Sequence, residues 1–153
     1  MSTSIDDVAA GLAEGIDAAL PRWVERCVEH VVRAWTGHDP DPEVRRAAAA
    51  AGARARDDVG PRVRALLAAD IDDQATTPLA LVRDAVRYPA AVLRALGVPP
   101  VERDAFAEEA FPDDEYGLTP AAFADLDPAL AEPGLAWGVA KAWEHRRRHG
   151  GAS

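Results

Sequence analysis

Apolar residues along this chain recur at intervals of three and four, the spacing that places them on one side of an α-helix. The clearest case is the segment 22–36, where arginine and glutamate fill most of the positions between. Its apolar positions are Val24, Cys27, Val28, Val31, Val32 and Trp35. No stretch of useful length alternates apolar and polar residues, as a half-buried strand would. The pattern therefore predicts an all-α protein.

Prolines and capping residues divide this helical pattern into short pieces. Proline lacks a backbone N–H, so it suits the first turn of a helix and disrupts a helix interior. We therefore expect Pro21 and the pair Gly60-Pro61 to break or kink the chain. Helix starts are predicted at Pro42, Pro61, Pro78, Pro89, Pro100, Pro120 and Pro133, with Ser4, Thr77 and Thr119 as caps and Gly97 as a stop. The result is one compact domain over residues 1–148, with about seven to nine short helices, and a flexible tail at 149–153.

Two of the predicted helices differ in the number of large apolar side chains that they offer to the core. The segment 42–56 has strong helix propensity but few large apolar groups, so we expect the core to cover it lightly, with Gly52 a weak point. The last helix is expected to begin at Pro133 and to end in three arginines that oppose the helix dipole. Its predicted inner side is Leu135, Ala136, Val139, Ala140 and Trp143.

Composition and charge exclude several classes of function. The formal net charge of -9 opposes a broad nucleic-acid or anionic-membrane surface, and Lys141 is the only lysine. Cys27 is the only cysteine, so no disulfide can form within the chain. No apolar run approaches the roughly 20 residues of a membrane span, and the first residues do not resemble a signal peptide. We expect a cytoplasmic protein that contacts neither nucleic acid nor membrane.

No catalytic, cofactor or metal signature is present in the sequence. The serines stand at positions 2, 4 and 153 only, which leaves no serine nucleophile within the domain, and no glycine-rich phosphate loop occurs. A calcium loop starting at Asp113 would place Leu118 and Ala124 where glycine and glutamate are needed. Cys27 and His30 have the spacing of a ligand pair, but a zinc site needs two or more further ligands, and only His38, His145 and His149 remain beside the carboxylates. We predict no catalytic residue, no cofactor and no metal.

The stretch AFPDDEYGLTPAAFADLDPAL, residues 110–130, combines five acidic residues with three prolines and several large apolar groups. Its residues suit a well-specified helix connection, in which aspartate and glycine form turns and the aromatic groups fix the loop to the core. In that case its carboxylates are exposed, and neutralising them should change stability by no more than about 0.5 kcal/mol. Alternatively the loop is a contact surface. The predicted partner-binding residues are Asp113, Asp114, Glu115, Tyr116, Arg87 and Tyr88.

Two other readings of the second half of the chain stay open. A ligand-binding or enzymatic pocket could lie between helices and use Trp137, Lys141, Tyr116 and Arg87. The stretch PAAVLRALGVPPVERDAFAEEAF has the form of a helix-turn-helix. Its second helix would present mostly acidic groups to DNA, which opposes phosphate approach. Those groups are Glu102, Arg103, Asp104, Glu108 and Glu109.

The pieces VRYPAAVLRALGVPP, FPDDEYGLTPAAFADLDPAL and PGLAWGVAKAW fall within residues 86–143. This part of the chain resembles a group of uncharacterised proteins from high-GC Gram-positive bacteria, the actinobacteria. The resemblance implies a bacterial source and no activity. The sequence thus favours a non-enzymatic protein-interaction or regulatory domain whose partner is another protein, ahead of a small-ligand binder or enzyme and of a DNA-binding protein.

Overall fold

The computed structural model of the protein describes residues 4–69 and 77–149. In these ranges 78% of the residues are helical and no strand is present, which confirms the predicted all-α class. The helices are α1 (Ile5–Thr36), α2 (Pro42–Ala68), α3 (Pro78–Arg83), α4 (Arg87–Ala95), α5 (Ala105–Ala110) and α6 (Ala131–His149). Single 3₁₀ turns lie at Asp84–Val86, Phe123–Asp125 and Pro128–Leu130. The predicted tail begins at the last residue of α6, and its other residues lie outside the described ranges.

The helices are fewer and longer than the seven to nine predicted, because two prolines lie inside helices without ending them. Pro21 is inside α1, and Pro61 is inside α2. A proline in a helix interior costs about 3 kcal/mol. Leu20 and Val24 on either side of Pro21 are fully buried, and so are Val59 and Val63 around Pro61. Tertiary packing of these apolar groups outweighs the local penalty, which the sequence pattern does not reveal.

Helices α1 and α2 form an antiparallel hairpin that supplies most of the core. Ala48, Ala51 and Ala55 of α2 are buried against α1. A Cβ atom added to Gly52 would lie 2.8 Å from the backbone oxygen of Pro21, so glycine is needed for this close approach. The prediction that the core covers this helix only lightly is therefore wrong. Small residues here bring the two backbones together instead of filling the space with large side chains.

Three of the four predicted helix-end signals are confirmed, whereas the predicted cap Thr119 instead donates its hydroxyl to Asp114 Oδ2. Ser4 Oγ accepts the N–H of Asp7 at 3.2 Å, and Thr77 Oγ1 accepts the N–H of Ala80 at 3.2 Å, as predicted. Gly97 follows α4 with φ of 79°, a conformation that favours glycine. These three signals are local, since each depends on one side chain and its own helix end.

Four predicted helix starts are displaced in the structure. Helix α4 begins before Pro89, and α6 begins before Pro133. Helix α5 starts after Asp104 rather than at Pro100, because the Asp104 carboxylate accepts the N–H of Ala107 at 2.8 Å. Beyond Pro120 the chain forms only the 3₁₀ turn Phe123–Asp125. A proline is compatible with the first turn of a helix but does not determine where the helix begins. The side-chain cap at Asp104 does determine it.

Helices α3, α4 and α6 pack against the hairpin. Helix α4 contacts both α1 and α2, α3 lies on α2, and α6 lies on α1. Helix α5 contributes no buried residue. Val24, Val28 and Val32 of α1 are buried, as predicted, whereas Trp35 at the end of the same stripe is about half exposed.

Candidate functional site

The loop between α5 and α6 is organised around a buried carboxylate. Asp114 is only 4% exposed. Its Oδ1 accepts the N–H of Leu118 at 2.6 Å, and its Oδ2 accepts the N–H and the hydroxyl of Thr119 at 2.8 and 2.6 Å. The expectation that all the carboxylates of this stretch are exposed is therefore wrong. Asp114 serves as an internal cap for the turn.

Two neighbours of Asp114 also have internal bonds. Tyr116 is buried, and its hydroxyl donates to the carbonyl of Val98 at 2.8 Å. Glu115 pairs with Arg94 of α4, with 2.7 Å between Oε1 and Nε. Gly117 completes the turn with φ of 68°, which a larger residue would adopt only with strain. Glu115 and Tyr116 thus anchor the loop to the end of α4, while Asp114 and Gly117 shape the turn itself.

Asp113 is exposed, unlike Asp114 beside it. Its neighbour Asp114 points inward, so adjacent residues of the same type have opposite surroundings. The sequence pattern cannot separate them, because both fit a turn. Of the three acidic residues proposed for partner binding, Asp113 is the one left fully available at the surface.

Arg87 and Tyr88, the other two predicted contact residues, converge on a single carboxylate of α2. The Tyr88 hydroxyl donates to Asp58 Oδ2 at 2.6 Å, and Arg87 Nη2 lies 2.7 Å from the same oxygen. The Tyr88 hydrogen bond and then the Arg87 guanidinium hold the pKa of Asp58 below its ordinary value. Burial, followed by Asp58, raises the pKa of Tyr88. This triad ties α4 to α2.

A cleft of about 310 Å³ does bring Arg87 together with the loop residues Asp113 and Asp114. Most charged groups along it are already engaged within the protein. Arg83 Nε donates to the carbonyl of Pro120 at 3.0 Å, and Arg87 pairs with Asp58. The cleft is at the lower end of the size range of ligand sites, and apart from Asp113 its charged groups help to hold α3, α4 and the loop together.

Trp137 and Lys141 contact each other rather than line one of the described clefts. Trp137 is buried on α1, and Lys141 Nζ lies 5.0 Å from the centroid of its ring, a cation–π contact. Four clefts on the described surface are lined by other residues. The hypothesis of a ligand pocket at this pair therefore gains no support from the packing around it.

The structure also gives no support to a reactive cysteine, a metal site or a DNA-reading helix among the described residues. Burial raises the pKa of Cys27 to about 12, so its thiol is a poor nucleophile. Among the described residues, no group of three or more histidine, cysteine, aspartate and glutamate side chains is placed to hold a metal. The second helix of the helix-turn-helix reading is α5, which has six residues. It offers less than two turns for reading a groove.

For helix α6, the sequence pattern predicts the wrong side of the helix to face the core. Leu135, Val139 and Trp143 were predicted to face the core, but they are 69%, 48% and 58% exposed. The side that packs on α1 is centred instead on Trp137, which is 7% exposed. At about 100° per residue, Leu135, Val139 and Trp143 form one stripe on the opposite side of the helix. We call this stripe the α6 outer face.

A signal for this arrangement is present in the sequence. Positions 137, 141 and 144 form a second series at helical spacing, which contains one tryptophan and the long side chains of Lys141 and Glu144. A helix with two such series can bury either. The surface of the neighbouring helix decides between them, and Leu130, directly before α6, packs against Gly15 of α1.

Comparisons with family models, curated proteins and solved structures found no match to this chain. Within the described ranges, no helix combines the length and apolar character needed to cross a membrane.

Proposed function

We propose that this protein is a non-enzymatic, cytoplasmic protein-interaction domain that binds another protein chain through the α6 outer face. The observation that carries the proposal is the alignment of three large, exposed apolar side chains, Leu135, Val139 and Trp143, at four-residue spacing. Contiguous apolar surface of this kind on a folded domain is typical of an interaction site. Helices bind in the grooves or on the faces of partners through residues at this spacing.

The alignment is more informative than the exposure of each residue alone. Single exposed apolar residues are common on protein surfaces, and this chain has several, such as Phe106 on α5. Leu135, Val139 and Trp143 instead extend for about 12 Å along one helix at 1.5 Å per residue. Burying large apolar side chains from water stabilises an interface by about 1.5–3 kcal/mol for each fully buried one. Tryptophan is in addition a frequent centre of binding energy in interfaces.

The contact surface predicted around the α5–α6 loop stays a secondary proposal. Asp114 and Tyr116 have internal roles, whereas Asp113 is exposed and lines the same cleft as Arg87. Exposed charges set the rate and selectivity of association more than its strength. The α6 outer face is therefore the stronger candidate for the energetic centre of binding.

Site-specific photo-crosslinking in cells of the natural host tests the proposal. A photoreactive phenylalanine analogue replaces Leu135 in one variant and Phe106 in a control variant, because Phe106 is 75% exposed and lies off this face. We expect a discrete crosslinked product from position 135 that is absent from position 106. Matching melting curves establish that both variants fold. Equal products from the two positions, or none from position 135, would overturn the proposal.

A further inference from the structure

We infer that the partner of the α6 outer face is a second copy of this chain, paired with it antiparallel about a two-fold axis at Val139. The inference rests on the proposed function and names the occupant of the same face. A two-fold interface is self-complementary, so each residue of the face must meet a suitable residue of the same face in the partner. The sequence of α6 satisfies this condition in its apolar groups, its charges and its small residues.

The apolar groups are symmetric about Val139. Leu135 and Trp143 stand four residues before and after it. In an antiparallel pair centred on Val139, the two valines meet at the axis and each leucine meets the partner's tryptophan. All three side chains are exposed, so their surface is available for burial in such a pair. Leucine against tryptophan also joins a compact apolar group to a large flat one at both ends.

The charges continue the same symmetry. Glu132 and Arg146 stand seven residues before and after Val139, and both are exposed. At about 100° per residue, each lies within about 20° of Val139 around the helix. Antiparallel pairing therefore sets Glu132 opposite Arg146 of the other copy at both ends. Parallel pairing would set like charges against each other, which is unfavourable.

Small residues beside the stripe allow the two helices to approach closely. Ala136 and Ala142 are exposed and flank Val139 symmetrically. Gly138 is also exposed, and a Cβ atom added there would meet no other atom within 4 Å. Helices pack at 8–10 Å between their axes, with the shorter distances requiring small side chains at the contact. Small residues around Val139 therefore leave room for a second helix at the centre of the outer face.

The strength of pairing follows from the size of the face. The segment from Glu132 to Arg146 is about 21 Å long at 1.5 Å per residue. One helix face of this length is smaller than the roughly 800 Å² per partner of a standard interface. We therefore expect a reversible dimer with a Kd of about 1–100 μM.

Sedimentation equilibrium of the full chain over about 1 μM to 1 mM tests the inference. Glu132→Arg and Arg146→Glu each place like charges at both ends of the pair, and each should weaken the dimer about tenfold. Mixing the two single variants restores opposite charges at both ends of the mixed dimer, so affinity should return close to the wild-type value. The double variant E132R/R146E should also regain it.

Glu109→Arg on α5 is the matched control, because it makes the same charge change at an exposed position off the face. It should leave the dimer intact, and its mixture with Arg146→Glu should associate more weakly than the mixture of Glu132→Arg with Arg146→Glu. Circular dichroism confirms folding of each variant. A wild-type monomer throughout the range, or a dimer insensitive to the charge swap, would overturn the inference.

Photo-crosslinking at position 135 separates failure of this inference from failure of the proposed function. A product of twice the 16.3 kDa chain mass supports both. A product with a different protein supports the interaction role and overturns self-pairing. The absence of any product at position 135 overturns both.

Discussion

Removing the carboxylate of Asp114 gives the sharpest test of how the α5–α6 loop is held. Asp114→Ala deletes three acceptor contacts at once: the N–H of Leu118, the N–H of Thr119 and the hydroxyl of Thr119. The side chain is 4% exposed, so the smaller alanine leaves these donors within the protein. The hydroxyl can rotate toward another acceptor, whereas the two backbone N–H groups are fixed by the turn.

The two backbone donors set the magnitude. Leaving a buried donor without a partner costs about 1–3 kcal/mol. Leu118 and Thr119 are only partly buried, so water reduces the cost for each donor to the lower part of that range. We expect Asp114→Ala to lower the free energy of unfolding by about 2–4 kcal/mol. That is a large fraction of the 5–15 kcal/mol that is usual for a domain.

Urea unfolding at neutral pH, followed by far-UV circular dichroism, measures this loss. Asp113→Ala is the control, because it removes the same group from the adjacent exposed position, where the change should stay within about 0.5 kcal/mol. Neutralising all three acidic residues as Asn, Asn and Gln should be dominated by position 114. Equal effects of Asp113→Ala and Asp114→Ala would refute the assignment of Asp114 as a buried cap.

Two further predictions concern the core of α1. Val28→Ala should lower the free energy of unfolding by about 1–2 kcal/mol, because Val28 is 1% exposed and the change leaves a cavity. The control Val101→Ala, at a half-exposed valine, should cost less in the same urea titration. Equal losses would contradict the packing of α1. Burial raises the pKa of Cys27 from 9.0 to about 12, so at pH 8 the thiolate fraction falls about a thousandfold. Labelling of Cys27 by a disulfide reagent should therefore be slow until urea unfolds the protein. Rapid labelling of the native protein would contradict this prediction.

The sequence predicts the fold class and the local helix ends better than the number of helices. Three-and-four spacing and the caps at Ser4 and Thr77 depend on residues close together in the chain, so they can be read directly. Helix α1 continues through Pro21, where its backbone approaches Gly52 of α2 closely, and this contact joins residues that are far apart in the sequence. A proline penalty of about 3 kcal/mol is decisive in an isolated helix but not where a neighbouring backbone packs at that point.

The same distinction between local and long-range information explains which properties of the predicted contact residues can be read from the sequence. A turn over residues 113–117 can be read from composition. The inward direction of Asp114 depends on where Leu118 and Thr119 return, and the pairing of Arg87 and Tyr88 depends on Asp58 of α2. Asp58 has no neighbour in sequence that marks it as a shared acceptor. A charge pattern therefore identifies polar side chains without showing which of them already have partners inside the protein.

Helix α6 shows why an apolar stripe does not determine by itself which side of a helix faces the core. The stripe of Leu135, Val139 and Trp143 carries three large apolar side chains, yet the side centred on Trp137 is the buried one. Long side chains complete that inner side, since Lys141 covers the tryptophan ring through its ammonium group. A helix that is apolar on two sides needs cover on both to remove that surface from water. The fold covers one side, and the symmetry of the other about Val139 matches a second copy of the same helix.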